Sequence, residues 1–432
     1  MPFEQTATAP RKIAVIGAGI SGMGAAHRLS DLHNVTLFDA APRLGGHART
    51  VMAGQNGTQP VDTGFIVFNR VNYPNLVRLF EELDVPVVES DMSFAASIDG
   101  GRMEYSLKSL RALFGQPVNA LRPSFLRMVR DILHFNANAL EAAQDKSLSV
   151  GGLLDRLGTG RWFRDYYLLP LSGAIWSSPK DRIMDFPAWA MIRFFDNHAL
   201  LHHSGQHQWY TVQGGSVEYV RRLEAAMRRK GVQIRLDCPI KGVRRIGLGA
   251  EVRAEGAEWE AFDDVVFATH SDDTLRLLSD PSEQERRVLG AIRYHPNRAV
   301  LHSDASVMPN RRAMWSSWNY AGKGASDGDG IDLTYWMNSL QPIPQGDPLF
   351  VTLNSRRPIR EELIHDIAAF RHPVFDGPAI AAQAEVPALN GTRNTWFCGA
   401  WVRNGFHEDG LASALDVVAG INRIPNLRVA AE

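Results

Sequence analysis

Residues 12–50, KIAVIGAGISGMGAAHRLSDLHNVTLFDAAPRLGGHART, decide the fold of the chain. Residues 13–16 are a short apolar run suited to a buried parallel strand, and the run ends in Gly17, Gly19 and Gly22 at the spacing G-x-G-x-x-G. The first glycine allows a tight turn, the second lets the backbone approach a pyrophosphate, and the third lets the next helix lie against the strand. A helix over 21–30 would present its N-terminal amides and dipole to the phosphates, stabilising negative charge without a cationic side chain. A second strand, 35–38, ends in Asp39, where a carboxylate would accept hydrogen bonds from an adenosine ribose. Strand, helix, strand and acid in this order form one complete nucleotide-binding βαβ unit, so the expected class is α/β.

Composition bounds the rest. At 432 residues the chain has room for two or three domains, and 45% hydrophobic residues is ordinary for a packed globular protein. A net charge of -1 supplies no field for nucleic acid. Cys238 and Cys398 are the only cysteines, too few for a disulfide framework, and a reducing cytoplasm is the expected setting. No apolar run is long enough to span a bilayer, and the N-terminus MPFEQTATAPRK lacks the apolar core of a signal peptide.

After Asp39 and Ala40 come Arg43, the doublet Gly45-Gly46, His47, Arg49 and Thr50. This block resembles the N-terminal signature of the flavin-containing amine oxidase and phytoene desaturase superfamily, whose members bind FAD. The resemblance implies that Gly17, Gly19, Ile20, Ser21 and Gly22 face the pyrophosphate, and that Asp39 and Ala40 lie at the adenosine ribose. Arg43, Gly45, Gly46 and His47 would follow the extended dinucleotide, with His47 standing where the family usually has arginine. The next stretch, VDTGFIVFNRVNYPNLVRLFEEL, also matches: Asp62, Thr63 and Gly64 would turn, placing Gly64, Phe65 and Ile66 beside the isoalloxazine. In the helix expected over 73–83, Leu76, Leu79, Phe80 and Leu83 share a core face, while Asn69 and Tyr73 read equally as site residues or as caps.

Two later stretches return to the cofactor. In VQIRLDCPIKGVRRI the family holds the adenine through backbone near Pro239 and Ile240, and DDVVFATH would end a strand at Ala268, Thr269 and His270. The closing stretch TWFCGAWVRNGFHEDGLASALDVVAG implies a strand ending at Gly399, a loop starting at Ala400, and a helix from about Gly410 and Leu411 whose amides face the flavin. Glu408 and Asp409 would flank it. Cys398 does not match the site of the covalent cysteine in monoamine oxidases, so noncovalent FAD is expected.

The implied fold is a Rossmann-like FAD-binding domain of glutathione-reductase-like, amine oxidase type with an inserted α+β substrate domain. The FAD-binding domain would take 11–83, 207–280 and 391–424, and the substrate domain 84–206 and 281–390, with 1–10 and 425–432 as flexible termini. The first substrate segment is expected to be helical. Its stretch 110–140 mixes Leu113, Phe114, Leu121, Phe125, Leu126, Ile132, Leu133 and Phe135 with Arg111, Arg122, Arg127 and Arg130, a basic amphipathic pattern that lies either on an anionic membrane or on its own domain. Trp162, Phe163, Tyr166, Tyr167, Trp176, Phe186, Trp189, Phe194 and Phe195 follow and would line a large apolar cavity. His198, His202, His203 and His207 complete no ligand pattern with an acid or cysteine, so no metal is expected. In the second segment, 299–309 and 332–342 read as strands, and Trp315, Trp318, Tyr320, Tyr335, Trp336 and Asn338 are candidates for the wall facing the flavin. Amine oxidases of the superfamily commonly carry a strand lysine near the flavin N5; here Lys323, in a glycine-rich loop, is the only lysine of the segment.

The variant FHEDGLASA is similar to a narrower group, bacterial FAD proteins often encoded near cyclopropane-fatty-acid synthases and related to the flavin domain at the front of plant cyclopropane synthases. That resemblance implies an unsaturated or methyl-branched fatty acyl chain as substrate, free or in membrane lipid, with a fatty-acyl methyltransferase or cyclopropane synthase as partner. The expected reaction is desaturation or isomerisation by hydride transfer to flavin N5. His407 and Glu408 are the first candidates for the base that removes the neighbouring proton, followed by His270 and Tyr335. Amine oxidation and a noncatalytic flavin subunit are the alternatives.

Overall fold

The computed structural model describes residues 9–176, 183–202, 205–322 and 332–423, so Lys323, His203 and most of the two terminal segments lie outside the described residues. Strand Lys12–Ile16 is the centre of a five-stranded, all-parallel sheet, because Ile13, Ala14 and Val15 are fully buried on both faces. The order across it is Gln233–Arg235, Asn34–Phe38, Lys12–Ile16, Asp264–Phe267 and Thr395–Phe397. Helix Ile20–Leu29 makes the crossover from Lys12–Ile16 to Asn34–Phe38, and helix His407–Arg423 packs beside it. The carboxyl ends of the three middle strands therefore open onto one crevice, where open α/β sheets hold ligands.

The second sheet has seven strands in the order Ile364–Val374, Arg293–His302, Phe350–Leu353, Asp332–Trp336, Trp318–Gly322, Phe94–Ile98 and Met103–Ser106. Neighbours run antiparallel except Trp318–Gly322 with Phe94–Ile98, which run parallel. Helices between 110 and 197 build a separate aromatic core on this sheet, with Phe125, Phe135, Phe163, Tyr167 and Phe195 at its centre. This is the Rossmann-like FAD-binding fold with an inserted substrate domain.

Several local expectations are corrected. The first inserted segment is not helical throughout, since it supplies strands Val87–Ser90, Phe94–Ile98 and Met103–Ser106. The helical pattern over 110–140 breaks into Leu110–Leu113, the 3-10 turn Pro117–Leu121 and helix Pro123–Ala142. Pro117 and Pro123 cause the break, because each lacks the amide that would continue a helix and suits a first turn instead. The stretch 232–246 forms two strands, Gln233–Arg235 and Ile240–Ile246, divided at Asp237, whose φ is 47°, and Pro239. The strand read at 332–342 ends at Trp336 and turns into the short helix Met337–Leu340. The last helix begins at His407, one turn before Gly410.

Candidate FAD and active site

The glycine loop has the geometry its spacing requires. Gly17 sits at φ +101°, and a Cβ there would fall 2.7 Å from the Ala268 carbonyl oxygen. A Cβ on Gly22 would fall 1.7 Å from the carbonyl oxygen of Gly17, so only glycine lets the helix start this close to the strand. Gly19 differs, since nothing lies within 4 Å of a Cβ built on it. It is also the N-cap of helix Ile20–Leu29, and no side chain caps that helix. Open space in front of an uncapped N-terminus is the form of a phosphate cradle.

Asp39 holds this cradle from below. Its carboxylate accepts from the Ala18 amide at 2.6 Å and from the Ala41 amide at 2.8 Å, leaving further lone pairs for a ribose. Ala40 is exposed beside it. The amides of Asp237 and Cys238 donate to the carbonyls of Ala41 and Asp39, which sets buried Ile240 against the same end of the sheet. Gly45 donates to the Ala18 carbonyl, and a Cβ on Gly46 would lie 3.0 Å from the Gly19 Cα, so the doublet passes directly over the loop. Arg43 fastens that passage by donating to the carbonyls of Leu44, Gly46 and Ala48.

The last helix reaches the same place. A Cβ on Gly410 would meet Ser21 Oγ at 2.7 Å, and the Leu411 side chain fills the space above Gly24. Two helix N-termini therefore lie side by side, and their dipoles add at one spot. Gly399 donates to Ser413 Oγ at 2.9 Å, which fixes the loop through Ala400. Cys398 is fully buried and burial pushes its thiol up to about 12, so it offers no thiolate for a covalent flavin bond.

Beyond the cradle lies a group of imidazoles. The ring of His47 lies 5.9 Å from that of His270 and 5.6 Å from that of His372, and it stacks on Phe370 at 5.0 Å. His407 stacks on Phe65 at 3.8 Å and shares a hydrogen bond with the Tyr219 hydroxyl at 2.9 Å. Burial holds all four neutral: His47 is lowered to about 4, and His270, His372 and His407 to about 3, with His47 adding to the effect on the other three. All four residues are half-buried.

Tautomers follow from the hydrogen bonds. The Arg298 amide donates to Asn354 Oδ1, Asn354 Nδ2 donates to Asn297 Oδ1, and Asn297 Nδ2 donates to His372 Nδ1, at 2.9, 2.7 and 2.8 Å. His372 therefore carries its proton on Nε2. His47 bonds the backbone of Arg371 through one ring nitrogen, and its Nε2 is buried without a partner. A donor and an orphaned acceptor thus stand next to each other in the cleft.

The remaining candidates are placed elsewhere. Glu408 accepts from the Leu76 amide at 2.9 Å and from the Asn75 amide and side chain at 3.1 and 2.6 Å, so both of its oxygens cap helix Pro74–Glu82. Asp409 accepts from the Phe406 amide at 2.9 Å, and burial raises it to about 6. His270 starts helix Ser271–Leu277 and stacks on Tyr294 at 4.3 Å. Its neighbours Asp272 and Asp273 come within ligand reach of it, but Arg371 holds both carboxylates. Tyr335 is half-buried, stacked edge-on against Trp318 between the helical core and the core beneath the second sheet. Gly64 is pressed on the His47 carbonyl, which accepts from Phe65, and Ile66 packs on the core beneath the second sheet. Of the aromatic block, Phe163, Tyr167 and Phe195 are core, whereas Trp176, Phe186, Trp189 and Phe194 wall a cleft of about 110 Å³.

That cleft meets the site through one residue. Phe194 stacks on Phe406 at 5.2 Å, and Phe406 precedes His407. Its charged lining among the described residues is Arg193 and Arg403; Arg403 pairs with Asp416, Arg193 pairs with no acid, and no carboxylate lines the wall.

His372, Tyr219 and Asn297 were not found from sequence. His372 joins the site because strand Ile364–Val374 pairs with Arg293–His302 in a register that sets His372 opposite His295. That register brings together residues 77 positions apart, and no local pattern announces it.

The fold and the cradle define a nucleotide-binding flavoenzyme: an uncapped helix start with open space, a ribose acid and a second converging helix all suit FAD. Residues 20–302, more than half of the chain, match the family described as flavin containing amine oxidoreductase, and the chain belongs to that family. It is an FAD-dependent oxidoreductase. A stretch of 114 residues is 38% identical to coproporphyrinogen III oxidase of Mycobacterium tuberculosis, covering 25% of this chain and 23% of that protein. The match thus spans about a quarter of the curated relative. Among solved structures, putrescine oxidase bound to putrescine is similar with TM-score 0.69 and 14% identity, over 96% of this chain and 100% of that one. A CLA-producing fatty acid isomerase from P. acnes is similar with TM-score 0.66 and 14% identity, over 95% and 98%.

Proposed function

We propose that this oxidoreductase acts on a long fatty acyl chain, free or in membrane lipid, and that it desaturates or isomerises it. The observation that carries this reading is the aromatic cleft beside Phe406, with Arg193 at its wall and no acid among the described residues that line it. At about 110 Å³ the cleft has room for the anionic head and first carbons of an acyl chain rather than its whole length, whereas an alkylammonium would meet a like charge. Desaturation breaks two C–H bonds: a hydride leaves from one carbon, a proton from its neighbour, and the remaining electron pair closes the double bond. FAD, held by the glycine loop, Asp39 and the start of helix His407–Arg423, would supply the hydride acceptor. The base in this reading is His407, which is held by Tyr219, stacked on Phe65 and kept neutral near pH 7 by burial. Glu408 is not proposed for that role because backbone amides occupy it. Oxygen or a quinone would reoxidise the flavin. A fatty-acyl methyltransferase or cyclopropane synthase would supply a methyl-branched chain, and the proposed location is the cytoplasmic face of a membrane.

Amine oxidation is the second reading, and the comparisons favour it. The family is described by amine oxidation, and putrescine oxidase matches at a slightly higher TM-score than the fatty acid isomerase. Both identities are too low to carry a substrate across. Anaerobic mixing of the FAD-loaded protein with fatty acids, phospholipid vesicles and alkylamines separates the two: bleaching by acyl chains supports the proposal. Bleaching by amines alone refutes it.

A further inference from the structure

The outward face of helix Pro123–Ala142 presents Leu126, Leu133 and Leu140 at intervals of two turns, exposed to 44%, 57% and 50%. The opposite face buries Phe125, Met128, Phe135 and Ala139. Just before the helix, Leu110 and Leu121 are exposed to 79% and 82%. A single exposed leucine is ordinary, but five of them on this helix and the turns before it mark a contact. Arg127 and Arg130 project from the side of the same line, and each pairs with the buried Asp131, at 3.9 and 3.5 Å. Among the described residues no helix is long and apolar enough to cross a membrane.

We propose that this face rests in the headgroup region of an anionic bilayer, leucines toward the acyl chains and arginines at the phosphates. A helix with an apolar stripe and a cationic flank takes that position, and the arginines select an anionic lipid surface over a neutral one. The inner face of the helix packs on helix Ala188–Asn197, which carries Arg193 and Phe194 of the aromatic cleft. Docking would therefore bring that cleft close to the bilayer. The docking itself does not depend on the substrate reading, so its test uses no turnover.

The test is co-sedimentation of the FAD-loaded full chain with vesicles of phosphatidylcholine alone or with phosphatidylglycerol. Expected is binding to the anionic vesicles that weakens as salt rises. Replacing Leu126, Leu133 and Leu140 together by serine should weaken it at least tenfold, with flavin content and melting temperature unchanged. Arg127→Gln with Arg130→Gln should weaken it roughly 25-fold, about fivefold per charge. Wild-type protein that stays in the supernatant overturns the proposal. So does serine-variant binding equal to wild type, or a wild-type dimer that the serine variant dissolves without any vesicle binding.

Discussion

Alanine at Gly19 and alanine at Gly22 should separate cofactor binding from folding. Gly19 has φ -75° and ψ -175°, a conformation alanine adopts freely, and its Cβ would meet nothing within 4 Å. Removing glycine from the unfolded chain favours the folded state by roughly 0.4–1 kcal/mol, while alanine is a poorer N-cap by a similar amount. The apoprotein of Gly19→Ala should therefore melt within a few degrees of wild type. Its methyl group, however, fills the cradle in front of the helix, and overpacking of about 1–3 kcal/mol corresponds to roughly 5- to 150-fold weaker FAD. Gly22→Ala puts its Cβ 1.7 Å from the Gly17 carbonyl oxygen and 3.2 Å from the Ala268 Cβ, so the strand and helix must separate. It should destabilise the apoprotein as well as weaken FAD. Circular dichroism melting of the two apoproteins, paired with FAD titration calorimetry, measures both effects. Wild-type FAD affinity in Gly19→Ala would refute the cradle.

Acid should unfold this protein early. His47, lowered to about 4, and His270, His372 and His407, lowered to about 3, bind protons above those values only when the chain unfolds. Stability is thus whole above the unfolded histidine value of 6.5 and falls as pH drops below it. Asp62 and Asp409, both raised to about 6 by burial, work in the opposite sense, losing stability as pH rises from about 4 to about 6. The four histidines should prevail, and urea unfolding at pH 7 and pH 5 checks this, with His372→Phe reducing their share of the difference by about a quarter. Glu408→Gln should lower stability by about 1–3 kcal/mol through the cap on helix Pro74–Glu82. It should leave the rate of flavin reduction unchanged, and loss of reduction would restore Glu408 as the base. Asn297→Asp would place a carboxylate on His372 Nδ1, raising that histidine and shifting the flavin spectrum with pH; an unchanged spectrum would put His372 away from the flavin.

What was legible in the sequence is what is local. Gly17, Gly19, Gly22 and Asp39 lie within one βαβ unit, and each does there what its spacing demands. The pairing of Ser21 with Gly410 joins segments nearly four hundred residues apart, yet both ends carry their own glycine pattern and were found separately. His372 carries none. Its place depends on the register of strands Arg293–His302 and Ile364–Val374, and its tautomer on three asparagine and backbone bonds that only folding assembles. Glu408 shows the other limit: an acid beside the flavin helix looks chemical in sequence, and only the fold reveals helix Pro74–Glu82 taking its oxygens.

The most direct test of the substrate is the flavin itself. Under anaerobic conditions, the visible band of the FAD-loaded protein should bleach with a long-chain unsaturated or methyl-branched fatty acid. It should bleach more slowly in Arg193→Glu, and stay oxidised with alkylamines. Bleaching by an alkylamine, with no response to any acyl chain, would contradict the account.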